Sequence, residues 1–400
     1  MNQVLNIDTS LNGMPALILF LSAVILSSLF TSSKQRLHLF LALNILVICF
    51  FESTVLGIIT LLTVLIAFHA FVHTLSIRRI TLSAALSLAG ISILWLFLFA
   101  ARDSSLFHPI NPFKYIPIAT IGLSYITFRC ISYLQEIQFV SDKSLTLFLT
   151  YALFFPSLIA GPIERLTAFS KKIKSPVYDQ SAILPSLNRI ANGLLKKYVL
   201  ADNLSVFGIF AYSEPTQIST PLLWIGSIAQ LFLIYLDFSG YCDIVIGASR
   251  LMGFSLSENF NKPFASTNIQ EFWTRWHITL STIVKDYIFS PLNILLLRHV
   301  DRRVHGILIP ATFILSMVLI ALWHGTSWGF LVFGVLQGLA LVLFQTFKSK
   351  KDLSKILSLP QLKPFNQALV YSFVSISLIF WMTKPHEWIT IIKHFLGDWS

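Results

Sequence analysis

Charged side chains are scarce in this 400-residue chain, at 12% against 55% hydrophobic residues, and the mean hydropathy is +0.74. Soluble domains carry about 25% charged residues. A chain with so few cannot cover its apolar surface, which excludes a soluble globular domain. Cysteine is nearly absent. Cys49, Cys130 and Cys242 are scattered and form no CxxC pair, which argues against a disulfide framework or structural zinc. Each reads as a small buried residue. Neither Ser239 nor Ser281 lies in a GxSxG turn, so a covalent serine mechanism is not favoured. The N-terminal MNQVLNIDTSLNGMP has no basic n-region. A cleaved signal peptide is therefore not expected, and the first span is expected to direct insertion. Low-complexity tracts, a large polar domain and a convincing internal repeat are also missing.

What is present is a series of continuous apolar runs. They lie near 15–31, 37–51, 53–73, 80–101, 115–137, 144–160, 180–200, 221–250, 306–323, 327–347 and 365–382. A bilayer-spanning helix needs about 20 mostly apolar residues. A membrane β-barrel would alternate apolar and polar positions instead. The expected fold is all-α and polytopic, with about ten spans, some short or re-entrant. One integral membrane domain is expected over 1–400. Within it, 1–110 read as packing spans, 110–345 as the functional core, and 346–400 as a basic loop with a final span. The net charge of +11 gathers in short loops: Lys34 and Arg36, Arg78 and Arg79, Lys171 to Lys174, Arg298 to Arg303, Lys348 to Lys355. That is the pattern of cytoplasmic loops and anionic-lipid contact. No basic patch interleaved with stacking aromatics points to nucleic acid.

From about residue 110 the texture changes. HPINPFKYIP (108–117), GLSYITFRCISYLQE (122–136), FFPSLIAGPIERLTAF (154–169), GLLKKYVLADNL (193–204) and YLDFSGYCDIVIGASRLMGF (235–254) bring proline, glycine and polar groups into apolar surroundings. Helix breakers at membrane depth need protein or water partners. An irregular core around a polar cavity follows.

The segment EFWTRWHITLSTIVKDYIFSPL (271–292) places Arg275, His277, Lys285 and Asp286 among aromatics. On a helical projection, Trp273, Trp276, Leu280, Ile283, Val284 and Tyr287 recur at three- and four-residue steps. Arg275, His277, Ser281 and Lys285 lie elsewhere. The segment reads as an amphipathic helix in the interface or along a cavity, not as a clean span. His324 stands in ALWHG after an uncharged run from Ile307 to Leu322. Ionisable groups at that depth are expensive and face a cavity, partner or substrate. A neutral imidazole there can take a proton from a hydroxyl; the bland alternative is a buried histidine bonded to a neighbouring helix. His277 can orient an acyl donor, assist proton transfer or act structurally. The two histidines are 47 residues apart, outside HxxxH and HExxH spacing, and no acid supplies an obvious third ligand. Metal binding is not favoured.

Asp237, Asp243 and Glu271 are candidate buried acids. Asp237 and Asp243 flank Gly240, expected to break the helix, and are expected to pair with Arg250, Arg275 or Lys285. Asp286 can be another such partner. Structural ion pairs and direct catalysis both remain open for them. Arg129 is expected to pair with Glu136 or to hold an anion. Glu164 and Arg165, after the Gly161–Pro162 break, are placed at a cavity mouth.

NFNKPFASTNIQEFWTRWHITLSTIVKDYIF (259–289) followed by LWHGTSWGFLVFGVLQGL (322–339) resembles the membrane-bound O-acyltransferase family. The bacterial branch of D-alanyl transfer proteins and alginate O-acetylation proteins is the relevant one. GLSYITFRCISYL, FFPSLIAGPIER, LKKYVLADNL and QLFLIYLDFSGYCDIVIGASRLMGF add to the match, which covers roughly 115–345 in consistent order. The resemblance implies a helical fold around a funnel. It implies an acyl thioester donor, from a carrier protein or acyl-CoA, on the cytoplasmic side. The hydroxyl acceptor, a cell-surface polymer or an intermediate acyl acceptor, comes from the other. It also implies an extracytoplasmic acyltransferase partner and no resident cofactor. His324 matches the family's near-invariant histidine, and His277 its second motif residue. His324 would then be general base on the acceptor hydroxyl. Trp273, Arg275, Trp276, Ser281, Lys285, Asp286, Asp237 and Trp323 are the substrate-binding candidates. The family often carries histidine where this chain has Gln337. NKPF-STNI-EFW and DYIF favour the D-alanyl branch, with the acetyl branch second on ENFNKPF, LIAGPIER and HGTSW. The competing class is a transporter or flippase with a histidine proton relay. It predicts paired repeats with broken helices.

Overall fold

The computed structural model describes residues 22, 33–51, 54–78, 88–94, 122–177, 179–208, 219–350 and 359–396. The expected spans near 15–31 and 80–101, and the segment HPINPFKYIP, lie wholly or mostly outside them. Among the described residues the chain is helical and no strand occurs. Seven helical stretches there are long and apolar enough to cross a membrane. The protein is a multi-pass membrane protein.

The first described helices, α1 (Ser33–Phe51) and α2 (Val55–Ile77), are apolar and half exposed. They pack on an inner layer of short helices: α3 (Leu123–Glu136), α4 (Leu145–Ala152) and α5 (Leu166–Lys174). α3 and α4 are almost entirely buried. The chain breaks after α4 at Phe154–Ser157, a Pro-containing turn. Arg129 on α3 compensates for that break. Its guanidinium donates to the carbonyls of Ala152 (3.0 Å), Phe154 (3.3 Å) and Ser157 (2.7 Å), and to Ser157 Oγ (2.8 Å). The expected Arg129–Glu136 pair is therefore not formed. Glu136 instead accepts from Tyr287 Oη (2.6 Å) and from the Thr167 amide (2.9 Å) and hydroxyl (2.8 Å).

α6 (Ile183–Leu194) continues through a π-helical stretch, Leu195–Ala201, into Asp202–Leu204. It packs along the 32-residue α7 (Thr220–Leu251). α7 is unbroken at Gly240, contrary to the sequence expectation, because that glycine serves a contact. A Cβ there would stand 2.8 Å from the Gly193 carbonyl oxygen and 3.0 Å from the Lys197 amide nitrogen. The acids of α7 also find other partners than those expected. Asp237 pairs with Lys197, and Asp243 with Arg189 (3.0 Å) and Lys196 (2.7 Å). Close helix approach sets that register, so α6 and its π-helical continuation supply the cations and Arg250, Arg275 and Lys285 do not.

The expected amphipathic helix over 273–290 is two pieces. α8 (Ile269–Arg275) ends before Trp276, and α9 (Ile278–Val284) starts after His277, whose φ is +46°. α9 runs through a π-helical turn, Lys285–Phe289, into α10 (Ser290–His299). Leu280, Ile283, Val284 and Tyr287 are buried as the stripe predicts. Ile278–His299 as a whole is apolar enough to span, which the projection did not anticipate. α11 (His305–His324) and α12 (Trp328–Ser349) form a tight hairpin, and α13 (Lys363–Met382) packs beside α12. α14 (Trp388–Phe395) closes against the start of α7.

Gly240→Leu is expected to push α6 off α7 and cost about 1–3 kcal/mol, the usual penalty of overpacking. Thermal unfolding in detergent reads it. An unchanged midpoint would show that the two backbones do not need this approach.

Candidate functional site

α7, α8, α9, α11, α12 and α13 surround a slot of about 60 Å³. That is room for a few water-sized groups. α7 contributes Leu231, Ile234 and Phe238; α8 contributes Phe272 and Trp273; Trp276, His277, Leu280 and Ser281 follow. Ile320 and His324 come from α11, Phe333 from α12, and Val374, Leu378 and Trp381 from α13. The two histidines singled out in the sequence thus line one cavity. His324 is the last residue of α11, with its ring 4.5 Å from Trp323 and 5.0 Å from Trp381. His277 lies 4.8 Å from Phe238 and 6.0 Å from Trp323. Trp323 therefore packs against both imidazoles.

His277 is 2% exposed and is held at a backbone break. A left-handed conformation costs a non-glycine residue about 1–3 kcal/mol. The neighbouring 259–261 segment sustains it. The Ile278 amide donates to the Asn259 carbonyl (2.9 Å) and the Asn261 amide to the Arg275 carbonyl (3.0 Å). The Asn259 side-chain oxygen receives the Thr279 amide (3.2 Å) and hydroxyl (2.9 Å), and lies 3.1 Å from His277 Nδ1.

Trp273, Trp276 and Ser281 line the slot, as the sequence suggests, and Trp323 backs it. Arg275, Lys285, Asp286 and Asp237 do not line it. Arg275 bonds Glu271 at 2.7 Å. Asp286 is tied to Arg165, Asp237 to Lys197, and Lys285 is exposed. Burial pushes the Glu271 carboxyl up, but the Thr267 amide and hydroxyl and the Arg275 guanidinium outweigh it and hold it below the usual value. Glu164 accepts from the Ser257 amide and pairs with Lys172 at 2.8 Å. No three histidine, cysteine, aspartate or glutamate side chains gather as a metal site among the described residues.

Two residues of interest escaped the sequence reading. Asn259 sat unremarked inside NFNKPF. Trp381 ends a span read as plain hydrophobic. Gln337, which the sequence marked as standing where the family often carries histidine, is fully buried, accepts from Trp273 Nε1 (3.2 Å) and donates to Ser377 Oγ (2.7 Å). It joins the slot wall on α8 to α12 and α13. Gln337→Leu leaves the indole N–H unpaired and is expected to cost about 1–3 kcal/mol. A detergent melt detects this, and an undiminished midpoint would mean the bridge contributes nothing.

The profile of the membrane-bound O-acyltransferase family matches residues 26–384. The chain is 34% identical over 262 residues to the peptidoglycan O-acetyltransferase of Helicobacter pylori, covering 64% of this chain and 48% of that protein. It is 34% identical over 228 residues to the probable alginate O-acetylase of Azotobacter vinelandii, covering 56% and 44%. Against the teichoic acid D-alanyltransferase of Streptococcus thermophilus it is 31% identical over 258 residues, 61% of each chain. The chain thus spans about half the length of the two acetylation relatives and less than two thirds of the third. With the helical fold and the two-histidine slot, a match running nearly end to end places this chain in the membrane-bound O-acyltransferase family.

Proposed function

We propose that the protein is an O-acyltransferase that moves a short acyl group from a thioester to a hydroxyl of a cell-surface polymer, or of an intermediate carrier of that group. The observation that carries this is the pairing of His277 and His324 in one small aromatic slot. His324 serves as general base. As the hydroxyl oxygen attacks the thioester carbonyl, its proton passes to the imidazole. The C–S bond then breaks, the acyl oxygen bond remains, and the imidazolium returns the proton to the leaving thiolate. Trp273, Trp276 and Ser281 hold the acyl group against the histidines, with Trp323 behind them.

The slot also bears on which acyl group is moved. No carboxylate lines it among the described residues, and a D-alanyl ester carries an ammonium. Acetyl therefore fits first, although the branch motifs favour D-alanyl. The D-alanyl reading keeps support from the aromatic walls, which can hold a cation, and from the 61% coverage of the Streptococcus protein. The slot's size disfavours a long fatty chain. The donor is taken to be a carrier-protein or CoA thioester reaching the basic ends of the helices, which positive-inside bias puts in the cytoplasm of a bacterial cell. The acceptor and an extracytoplasmic partner act on the other face.

Membranes carrying wild type or His324→Ala are supplied with labelled acetyl-CoA or D-alanyl carrier thioester, and label is followed into polymer. Wild type should transfer, and the variant, at equal abundance, should lose at least about 10²-fold, as general bases supply. Full transfer by His324→Ala removes it as the base. Histidine-dependent ion or lipid movement without transfer favours the transporter class.

A further inference from the structure

Two residues that line the slot each carry a buried polar atom with no hydrogen-bond partner among the described residues: His277 Nε2 and Trp381 Nε1. Buried polar groups are normally paired, and exceptions call for an explanation. Their chemistry is complementary. An indole N–H only donates. The role of His277 Nε2 follows from Asn259. A backbone N–H can only donate, so the Asn259 atom that meets the Thr279 amide at 3.2 Å is the carbonyl oxygen. The Thr279 hydroxyl takes the Ile163 amide at 3.1 Å and gives its own proton to the same oxygen at 2.9 Å. That oxygen is an acceptor only. His277 Nδ1, 3.1 Å away, must therefore carry the proton. The neutral ring is left with a bare lone pair on Nε2.

Resting on the acyl-transfer reading, we infer that the slot is polarised for the reaction. His277 Nε2 receives the single O–H hydrogen bond of the incoming hydroxyl and holds its oxygen in place, and that proton turns to His324 as attack begins. Trp381 Nε1–H donates to the thioester carbonyl oxygen as it becomes an oxyanion. Asn259 is a positioning residue that fixes the His277 tautomer. A neutral His277 in this tautomer cannot itself polarise the carbonyl, because its only N–H is committed to Asn259. Acyl transfer needs one acceptor at the hydroxyl and one donor at the oxyanion, and the slot supplies one bare atom of each kind.

The test has two readouts. ¹⁵N spectra of histidine-labelled protein in detergent, assigned with His277→Gln, show which ring nitrogen carries the proton. The expected result is Nδ1–H with Nε2 bare; the opposite tautomer overturns the clamp. Asn259→Asp keeps the acceptor but adds negative charge. The other titratable groups about the ring are His324 across the slot and Cys242, 3.6 Å from Asn259 Nδ2; Phe238 and Trp323 cover the ring. The His277 titration midpoint and the acid limb of kcat/KM should both move to higher pH. A purely structural role predicts lower yield with an unmoved limb. Trp381→Phe keeps the packing and removes the donor. It should lower kcat about 10²-fold with little change in KM for the thioester. Wild-type kcat in that variant removes the indole from the oxyanion role. If His324→Ala is inactive while these variants behave as wild type, this inference fails and the function stands. If His324→Ala transfers normally, the function fails, and the tautomer result still reports on the clamp.

Discussion

The hydrocarbon of a bilayer offers no hydrogen bonds, so every polar group at that depth must be satisfied by the protein. The stretch from 253 to 279 meets this constraint with the least regular backbone of the core. It contains both positive-φ non-glycine residues among the described ones, Lys262 and His277. Its bonds converge on Asn259, whose backbone and side-chain oxygens together serve His277, Ile278 and Thr279. Without that anchor the chain would have every reason to run helically from Ile269 onwards. Those bonds hold the break at which His277 sits. The place of the histidine is thus a consequence of where an amide oxygen can be buried.

The same constraint shapes the periphery. Arg129 is spent on carbonyls released by the Phe154–Ser157 turn. The cations of α6 and its π-helical continuation reach the acids of α7 because Gly193 and Gly240 let the two backbones meet. These pairs are partly exposed to solvent and add little net stability. They act as register marks between helices, holding α7 at the height where Phe238 meets His277.

The helical class, most described spans and the two histidines were legible in the sequence. Hydropathy reports lipid exposure directly, and an ionisable group in an apolar run advertises its own cost. Pairings across helices were not legible. Asp243 has several cations within plausible reach, and only packing chooses Arg189 and Lys196. Breaks misled in both directions. Gly240 looks like a breaker and is a contact. Thr274 to Ile278 contain neither glycine nor proline, yet the helix ends there because backbone bonds from 259–261 take over. Trp381 was invisible for another reason: its interest lies in an atom left unpaired, and no pattern of residue types shows that.

That no carboxylate lines the slot among the described residues has a chemical logic. In the proposed mechanism, acyl transfer at His324 would create an imidazolium and an oxyanion from neutral reactants, and both would have to vanish again. Weakly polar walls make each nearby dipole count for more than it would in water. A carboxylate among those walls would stabilise the imidazolium permanently. The ring would then hold its proton instead of returning it to the thiolate. Asp237, Glu271 and Asp286 all lie near this region in sequence, yet each is bound to its own cation away from the cavity. In that mechanism, keeping the acids paired elsewhere spares the imidazoles a fixed negative charge, and a neutral donor such as an indole N–H could meet the transient anion. The ion pairs outside the slot and the lack of charged lining residues among those described are two sides of one arrangement.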